Sequence, residues 1–291
     1  MVRDSMKLDK FAMFILSNRR PHQILTINTL KKVGYTGKYY IIVDDLDPTL
    51  QEYKNLYGDK VIVFHKEKYM SICDTIDNFH EERAVMYGRN ACFDIAEELG
   101  LEYFMELDDD YTEFAFRFSD EKEKTLYNRI GKELDTTILE LIKYMENTDA
   151  LSIAFGQAGD YIGGTSKTSL YGKKMLFKCM NSFLCRTSKR FVFKGTLNED
   201  VNTVLYYAQQ GKYFLTLDHV SIKQSFTQSR EGGLTYLYEN YGTYIKSFYS
   251  VIMRPDCTKI RLMGKNDFRI HHMIKWDKAL PKMISEEYKK K

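Results

Sequence analysis

At 291 residues, the chain is long enough to bury the core of one large α/β domain. Its 4 prolines, 17 glycines and 14% aromatic residues exclude a fibrous or largely disordered protein. No stretch of 18 apolar residues occurs, which excludes a membrane-spanning helix, and the formal net charge is only +3.

Apolar runs alternate with helical periodicities in the first part of the chain. Strands are predicted at 11–16, 39–43, 61–64 and 103–107, and the main helices at 24–33 and 81–99. This alternation is typical of a parallel sheet. Because ligands of such sheets bind beyond the carboxyl ends of the strands, we expect the loops after these strands to form one crevice.

Acidic residues follow two of these predicted strands. Asp44 and Asp45 follow the second strand, and Asp108, Asp109 and Asp110 follow the fourth. Three adjacent carboxylates repel one another, so a cation is expected beside them. Oxygen ligands on a short turn suit Mg²⁺ or Mn²⁺, which bridge phosphates. An acidic surface turn is the alternative interpretation.

The second half is predicted to be less regular. The sequence predicts a helix at 134–146, a strand at 151–155, a helix at 201–210 and a strand at 213–217. Glu199 and Asp200 begin the second of these helices, where they either balance the helix dipole or take a proton from an acceptor hydroxyl. His219 is either a loop histidine or an additional metal ligand, and His271 and His272 leave the same choice.

A basic segment without any Asp or Glu extends from 161 to 198. Its lysines and arginines alternate with aromatic residues, the composition expected of a surface that contacts a phosphate backbone. A solvated basic face would have the same composition. The eight basic residues are Lys167, Lys173, Lys174, Lys178, Arg186, Lys189, Arg190 and Lys194.

Five cysteines are scattered along the chain without a Cys-x-x-Cys pair. Reduced thiols are therefore expected. The first residues contain no apolar signal core, so a cytoplasmic protein is expected. The cysteines are Cys73, Cys92, Cys179, Cys185 and Cys257.

The order of these motifs resembles that of nucleotide-sugar glycosyltransferases of the GT-A fold. The resemblance rests on the Asp-x-Asp pair of Asp108 and Asp110, on Glu199-Asp200, and on His219 after the next strand. It implies a GT-A type α/β fold, with a Rossmann-like, mostly parallel sheet, flanking helices and a mixed acceptor-side half. The single domain would span 1–291, with a nucleotide-sugar half at about 8–112 and an acceptor half at about 113–291.

A narrower resemblance is to the TET-associated glycosyltransferase family, which is found in phage genomes. It rests on residues 14–21, 89–94, 107–111 and 246–250. The resemblance implies metal-dependent transfer of a hexose or pentose from a UDP-sugar to a modified base, of the 5-hydroxymethylcytosine type, in DNA. Mn²⁺ or Mg²⁺ would be the cofactor, and the host cytoplasm the location.

This resemblance also implies roles for individual residues. Asp108, Asp110 and His219 would hold the ion, with Asp200 as catalytic base and Glu199 as second candidate. Contacts to the nucleotide sugar would come from Ser17, Arg19, Asp44, Asp45, Arg83, Arg89, Asn90 and Asp109. Contacts to the DNA acceptor would come from Lys173, Lys174, Lys178, Arg186, Lys189 and Arg190.

Other functions are compatible with the same residues. The acceptor would be a glycan, a lipid headgroup or a protein in one alternative. Clustered aspartates beside nucleic acid also suit a nucleotidyltransferase or nuclease with paired metals. A non-catalytic DNA-binding module is the third alternative, although an aspartate triplet without an ion would repel phosphates.

Overall fold

The computed structural model describes residues 8–119, 126–130, 132–157, 178–225, 242, 244–263 and 269–280. These residues form a nine-stranded sheet with packed helices and a separate two-stranded sheet. The predicted α/β class is confirmed. None of the helices described here is both long and apolar enough to cross a membrane.

Eleven strands lie in the described ranges. They are β1 (Phe11–Leu16), β2 (Lys38–Asp44), β3 (Val61–Phe64), β4 (Tyr103–Asp108), β5 (Tyr111–Ser119), β6 (Leu126–Ile130), β7 (Ser152–Gly156), β8 (Phe183–Arg186), β9 (Leu215–Gln224), β10 (Thr258–Met263) and β11 (Arg269–Ile274). The order in the large sheet is β3-β2-β1-β4-β8-β7-β9-β5-β6, and β10 pairs with β11.

The same ranges contain eight α-helices. They are α1 (Leu25–Lys32), α2 (Leu50–Tyr57), α3 (Lys66–Ile72), α4 (Val85–Glu98), α5 (Leu134–Thr148), α6 (Glu199–Ala208), α7 (Ile245–Met253) and α8 (Trp276–Ala279). A short 3₁₀ turn, Gly58–Lys60, precedes β3.

The side chains of β1 pack into two hydrophobic cores, one on each face of the sheet. Phe11, Met13 and Ile15 pack on one face with α1 and α5, whereas Ala12 and Phe14 pack on the other with α4. A strand buried on both faces has no polar positions, which accounts for the uninterrupted apolar run in the sequence. Strands β1 to β4 are parallel, so their carboxyl ends share one edge.

The second half of the sheet mixes directions. Strand β8 runs antiparallel to β4 and β7, β9 is parallel to β7, and β5 is antiparallel to β9. Strand β9 is longer than predicted, because it continues to Gln224 rather than ending at 217. Its last residues therefore reach the carboxyl end of β4, where Gln224 Nε2 donates to Asp108 Oδ2 over 3.3 Å.

Candidate active site

One buried arginine joins the acidic residues of β4 to those of α6. Arg89, on α4, is only 1% exposed. Its Nη2 lies 2.9 Å from Asp108 Oδ1, its Nε lies 3.1 Å from Glu199 Oε1, and its Nη1 lies 3.4 Å from Glu106 Oε2. Two acidic motifs that are 91 positions apart in the sequence are thereby held in one site.

Close packing of α4 on the sheet places this guanidinium. A Cβ added to Gly88 would lie 2.6 Å from Leu16 Cδ2, so glycine permits the close approach. The guanidinium carbon of Arg89 lies 5.0 Å from the ring centroid of Phe183 and 5.7 Å from that of Phe193. These rings exclude water from the ion pairs and interact favourably with the cation.

A single positive charge faces three carboxyl groups in this cluster. Burial raises the pKa of Glu106 to about 8, so Glu106 is protonated at neutral pH. Burial and the neighbouring Asp200 raise the pKa of Glu199 to about 7. Arg89 therefore balances mainly Asp108 and Glu199, and the cluster keeps an excess of acidic groups.

Asp110 adds to this excess on the side that faces β9. Its Oδ1 is buried and has no hydrogen-bond partner in the described structure. Burial, together with Asp108 and Asp109, raises the pKa of Asp110 to about 7. An ion with oxygen ligands would provide the missing partner, so Asp108 and Asp110 fit Mn²⁺ or Mg²⁺.

No third His, Cys, Asp or Glu in the described ranges completes a metal-binding group with them. Magnesium is commonly held by one or two carboxylates plus phosphate oxygens and water, so two protein ligands suffice.

Asp109 points away from its two neighbours and is 4% exposed. Ser17 Oγ donates to its Oδ2 over 2.6 Å, and Arg20 Nη1 lies 3.1 Å from its Oδ1. Ser17 Oγ also lies 2.7 Å from the hydroxyl of Tyr53. Contrary to the predicted nucleotide contacts, the structure uses Asp109 and Ser17 to anchor the loop after β1.

Asp44 and Asp45 hold the start of α3 against the end of β2. Asp44, 4% exposed, lies 2.7 Å from Lys66 Nζ and accepts from Asn18 Nδ2 over 3.0 Å. Asp45 lies 2.8 Å from His65 Nδ1 and accepts from the backbone N–H of Lys66 over 2.9 Å. The burial and pairing of Asp44 favour a structural role over the predicted nucleotide contact, whereas Asp45 keeps a partly exposed carboxylate.

A polar cavity of about 390 Å³ lies beside the end of β1. Arg19 enters it from a backbone with φ of 59°, in the left-handed region. Arg83 enters from the segment before α4 and is held by Glu81 through Nε and Nη2, at 2.8 and 3.1 Å. The predicted nucleotide-binding residues Arg19 and Arg83 are thus brought together, with His80 and Glu82 completing the lining.

Asn90, for which a nucleotide contact was predicted, holds the backbone of the loop before α6. It accepts from the backbone N–H of Phe193 over 2.8 Å and donates to the carbonyl of Phe193 over 3.2 Å. The chain then turns at Gly195, with φ of 91°, where a Cβ would lie 2.5 Å from Asn202 Nδ2. These contacts fix the loop that leads into α6.

Helix α6 begins at Asn198, whose side chain turns towards the C-terminal elements. Asn198 Nδ2 donates to the carbonyl of Lys246 over 2.9 Å and lies 3.1 Å from His272 Nδ1. Asp200 Oδ1 accepts from the N–H of Val201 over 2.7 Å. Burial raises the pKa of Asp200, although this hydrogen bond opposes the shift. Asp200 therefore lies in the site but, unlike Glu199, forms no ion pair with Arg89.

His219 lies apart from the aspartates in the described structure, which argues against its predicted role as third metal ligand. It lies within β9, five residues before Gln224, the residue that reaches Asp108. Five residues of strand span roughly 16 Å. His219 instead lines a largely apolar cavity of about 620 Å³ between α5 and the sheet. His272, not His219, is the histidine beside the start of α6.

The described basic residues of 178–190 also lie away from the aspartates. Arg186 pairs opposite Tyr103 at the amino end of β4, because β8 is antiparallel. Arg186 and Lys189 contact Asp149, and Arg190 pairs with two carboxylates of α4. This position and pairing argue against the predicted acceptor contacts of Arg186, Lys189 and Arg190.

The other residues predicted to contact the DNA acceptor, Lys173, Lys174 and Lys178, do not support an acceptor surface in the basic segment either. Lys178 Nζ lies 6.0 Å from the ring centroid of Trp276. Lys173 and Lys174 lie outside the described residues. The basic segment is therefore not assembled as one face beside the acidic site in the described structure.

Glu106 and Gln224 are site residues that the sequence reasoning missed. Glu106 is 0% exposed and interrupts the apolar run of β4. A carboxylate inside such a run is a signal, because it needs a buried partner. Gln224 carries no comparable signal, since its position depends on how far β9 extends.

Solved structures with a similar arrangement have little sequence identity to the chain. Glucosyl-3-phosphoglycerate synthase from Mycobacterium tuberculosis, in complex with Mn²⁺ and UDP-glucose, has a TM-score of 0.48 and 7% identity, covering 91% of this chain and 87% of that one. S. aureus TarS 1-349, in complex with UDP, has a TM-score of 0.42 and 13% identity, covering 84% and 65%. No curated protein matches the chain.

A sequence model of one family covers most of the chain. The model of the TET-associated glycosyltransferases matches residues 11–233. This span contains β1 to β9, the aspartates of β4, Arg89 and the start of α6. The chain therefore belongs to the TET-associated glycosyltransferase family, and it is a glycosyltransferase.

Proposed function

We propose that this glycosyltransferase, with a GT-A type fold, transfers a hexose or pentose from a UDP-sugar to the hydroxyl of a modified base, of the 5-hydroxymethylcytosine type, in DNA. The observation that carries the proposal is that Arg89 binds both Asp108 and Glu199. An ion site for a leaving diphosphate and a candidate base for an acceptor hydroxyl thereby lie side by side. Membership of the TET-associated family supports the DNA acceptor.

Asp108 and Asp110 would hold the divalent ion. A cation held there would balance the negative charge of the diphosphate as it leaves. The buried, unpartnered Oδ1 of Asp110 supports this assignment. Arg89 holds one oxygen of Asp108 in place and leaves the other facing Gln224 and the crevice.

The polar cavity at the end of β1 suits the nucleotide. Its volume of about 390 Å³ lies within the usual range of ligand pockets. Arg19 offers a guanidinium group, a group that binds phosphate oxygens in bidentate fashion. Arg83, held by Glu81 through Nε and Nη2, adds a second positive charge. Asp45, at the adjacent loop, would contact the uridine. The donor half would thus be residues 8–112 and the acceptor half residues 113–291, with the reaction between them.

Asp200 is the proposed base. The acceptor oxygen bonds to the anomeric carbon of the sugar while the bond from that carbon to the diphosphate oxygen breaks. UDP leaves with the bonding electron pair, and the proton of the acceptor hydroxyl passes to Asp200. Glu199 is the second candidate, but its ion pair with Arg89 suits a positioning role.

Nucleoside mass spectrometry tests this proposal. Purified protein is incubated with Mn²⁺, a panel of UDP-sugars and DNA that contains either cytosine or 5-hydroxymethylcytosine. We expect a hexose or pentose mass gain only on the hydroxymethylated DNA, and its loss in Asp110→Asn. UDP release without transfer to either DNA would contradict the DNA acceptor, and the absence of both would contradict the UDP-sugar donor.

A further inference from the structure

The two-stranded sheet after α7 is the described surface that best fits a nucleic-acid acceptor. Strands β10 and β11 do not join the large sheet. Three aliphatic side chains of these strands are exposed to solvent: Ile260 is 38% exposed, Leu262 64% and Ile270 37%. Exposed aliphatic residues that cluster on one element mark an interaction site.

The register places these aliphatic residues on one face that leads to the active site. Leu262 pairs with Ile270, and Ile260 pairs with His272. Opposed residues of an antiparallel pair share a face. His272 in turn lies 3.1 Å from Asn198 Nδ2, at the start of α6. Ile260 lies opposite His272, and Leu262 is two residues further along the strand. The aliphatic face therefore ends only about 7 Å from His272.

The opposite face of the same ribbon is basic. Lys259 and Arg261 are exposed, and no described carboxylate pairs with either of them. Residues 257–263 and 269–276 contain four Lys or Arg and no Asp or Glu. In the sequence, residues 264–268 add Lys265 and Asp267, whose charges cancel. A polyanion is the partner that this charge complements.

Helix α7 provides aromatic groups beside this ribbon. Tyr244 and Phe248 are 47% and 44% exposed, and their ring centroids are 6.4 Å apart. The helix packs against both strands, and its Lys246 carbonyl is bound by Asn198. Exposed aromatic rings next to basic side chains suit unpaired bases, which stack on such rings.

We propose that the ribbon of β10 and β11, beside the exposed rings of α7, enters a groove of the DNA acceptor, with Lys259 and Arg261 on the phosphates along one of its faces and the opposite, aliphatic face towards the start of α6. This inference rests on the proposed function and replaces the basic segment of 161–198 as the acceptor surface. A two-stranded ribbon has the dimensions to enter a DNA groove. The adjacent start of α6 would then receive the modified base near Asp200.

The test compares two double variants that each remove two positive charges. Lys259→Gln/Arg261→Gln changes the ribbon, and Lys31→Gln/Lys32→Gln changes exposed lysines at the C-terminal end of α1. Binding of a fluorescein-labelled duplex with 5-hydroxymethylcytosine is measured by anisotropy at several KCl concentrations. UDP release from the UDP-sugar without DNA is measured in parallel.

We expect the ribbon variant to bind DNA more weakly, by on the order of tenfold at 0.1 M salt. Its salt slope should fall by about 1.8, since each phosphate contact contributes about 0.9. The control should bind as the wild type does, and UDP release should be unchanged in both. Unchanged DNA binding by the ribbon variant would overturn this surface and leave the proposed function standing. If the wild type itself binds no DNA, the surface and the DNA acceptor are both overturned.

Discussion

Arg89 contacts Asp108 through a guanidinium that is only 1% exposed, at 2.9 Å from Nη2 to Oδ1. The same group reaches Glu199, so it sets the separation between the proposed ion site and the proposed base. Its burial argues against the direct nucleotide contact that the family resemblance implied. Arg89 is accordingly a positioning residue.

Replacing this arginine should disturb both stability and turnover. Arg89→Ala would leave buried carboxylates without a counter-ion and should lower the free energy of unfolding by about 3 to 5 kcal/mol. Arg89→Lys keeps the charge but cannot bind several carboxylates at once, so kcat should fall on the order of 100-fold with a smaller change in KM for the UDP-sugar. Urea denaturation and steady-state kinetics check these effects. Full turnover in Arg89→Lys would refute the positioning role.

Asp110→Asn should stabilise the protein in the absence of metal. Asp110 Oδ1 is buried without a partner and adjoins two further aspartates, so removing its charge relieves repulsion. The rise in melting temperature on adding Mn²⁺ should disappear in this variant. Asp59→Asn, at an exposed site, is the matched control. Equal Mn²⁺ stabilisation of Asp110→Asn and wild type would contradict the ion site.

Asp200→Asn should abolish most sugar transfer while leaving donor binding intact. Loss of a general base reduces the rate by roughly 10² to 10⁴. The dissociation constant for UDP should stay within a factor of about two, because Asp200 has no predicted donor contact. Single-turnover transfer and calorimetric titration separate these effects. If Glu199→Gln loses transfer and Asp200→Asn does not, the roles of the two carboxylates are exchanged.

His219→Ala should leave metal dependence unchanged. His219 lies on β9 beside the cavity under α5, roughly 16 Å along the strand from Gln224. His272→Ala, beside Asn198, should impair transfer instead. The Mn²⁺ concentration for half-maximal activity is the quantity to compare. A large increase in this concentration for His219→Ala would show that His219 does bind the metal.

The surface network around Asp94 predicts an acid-dependent loss of stability. Burial alone would raise the pKa of Asp94, but hydrogen bonds from Lys68, Tyr69 and Arg190 lower it below the usual value. A carboxylate with a lowered pKa stabilises the fold above its unfolded pKa, and this contribution is lost as the pH falls through the folded pKa.

Asp94→Asn should therefore reduce the free energy of unfolding at pH 7 by about 0.5 to 1 kcal/mol, since solvent screens this half-exposed network. The difference from wild type should shrink below pH 4. Thermal unfolding between pH 2 and pH 7 measures it. A difference that is constant over this range would show that the charge of Asp94 is not involved.

The parallel half of the fold was predictable because its strands are short apolar runs bounded by polar residues. Val61–Phe64 has the predicted bounds, and the apolar run at 103–107 ends in the aspartates as expected. Such runs depend on local sequence and are recognisable without tertiary information. The convergence of Asp108 with Glu199 also followed from the order of the motifs.

The errors have a different physical origin. His219 was misplaced because β9 continues through polar residues to Gln224, and that extension depends on pairing with β5. Arg186 was misplaced because the direction of β8 decides which edge of the sheet it occupies. Arg89 was expected at the nucleotide, and its burial was not foreseen because it depends on three carboxylates from other elements. Non-local pairing determined all three positions.

Calorimetric titration of UDP into wild-type protein and Asp110→Asn, with and without Mn²⁺, tests the central claim most directly. The account predicts that the wild type binds UDP at least tenfold more tightly with Mn²⁺, and that Asp110→Asn shows no such gain. Equal binding of UDP with and without Mn²⁺, or an undiminished gain in Asp110→Asn, would contradict a metal-dependent nucleotide-sugar site at Asp108 and Asp110.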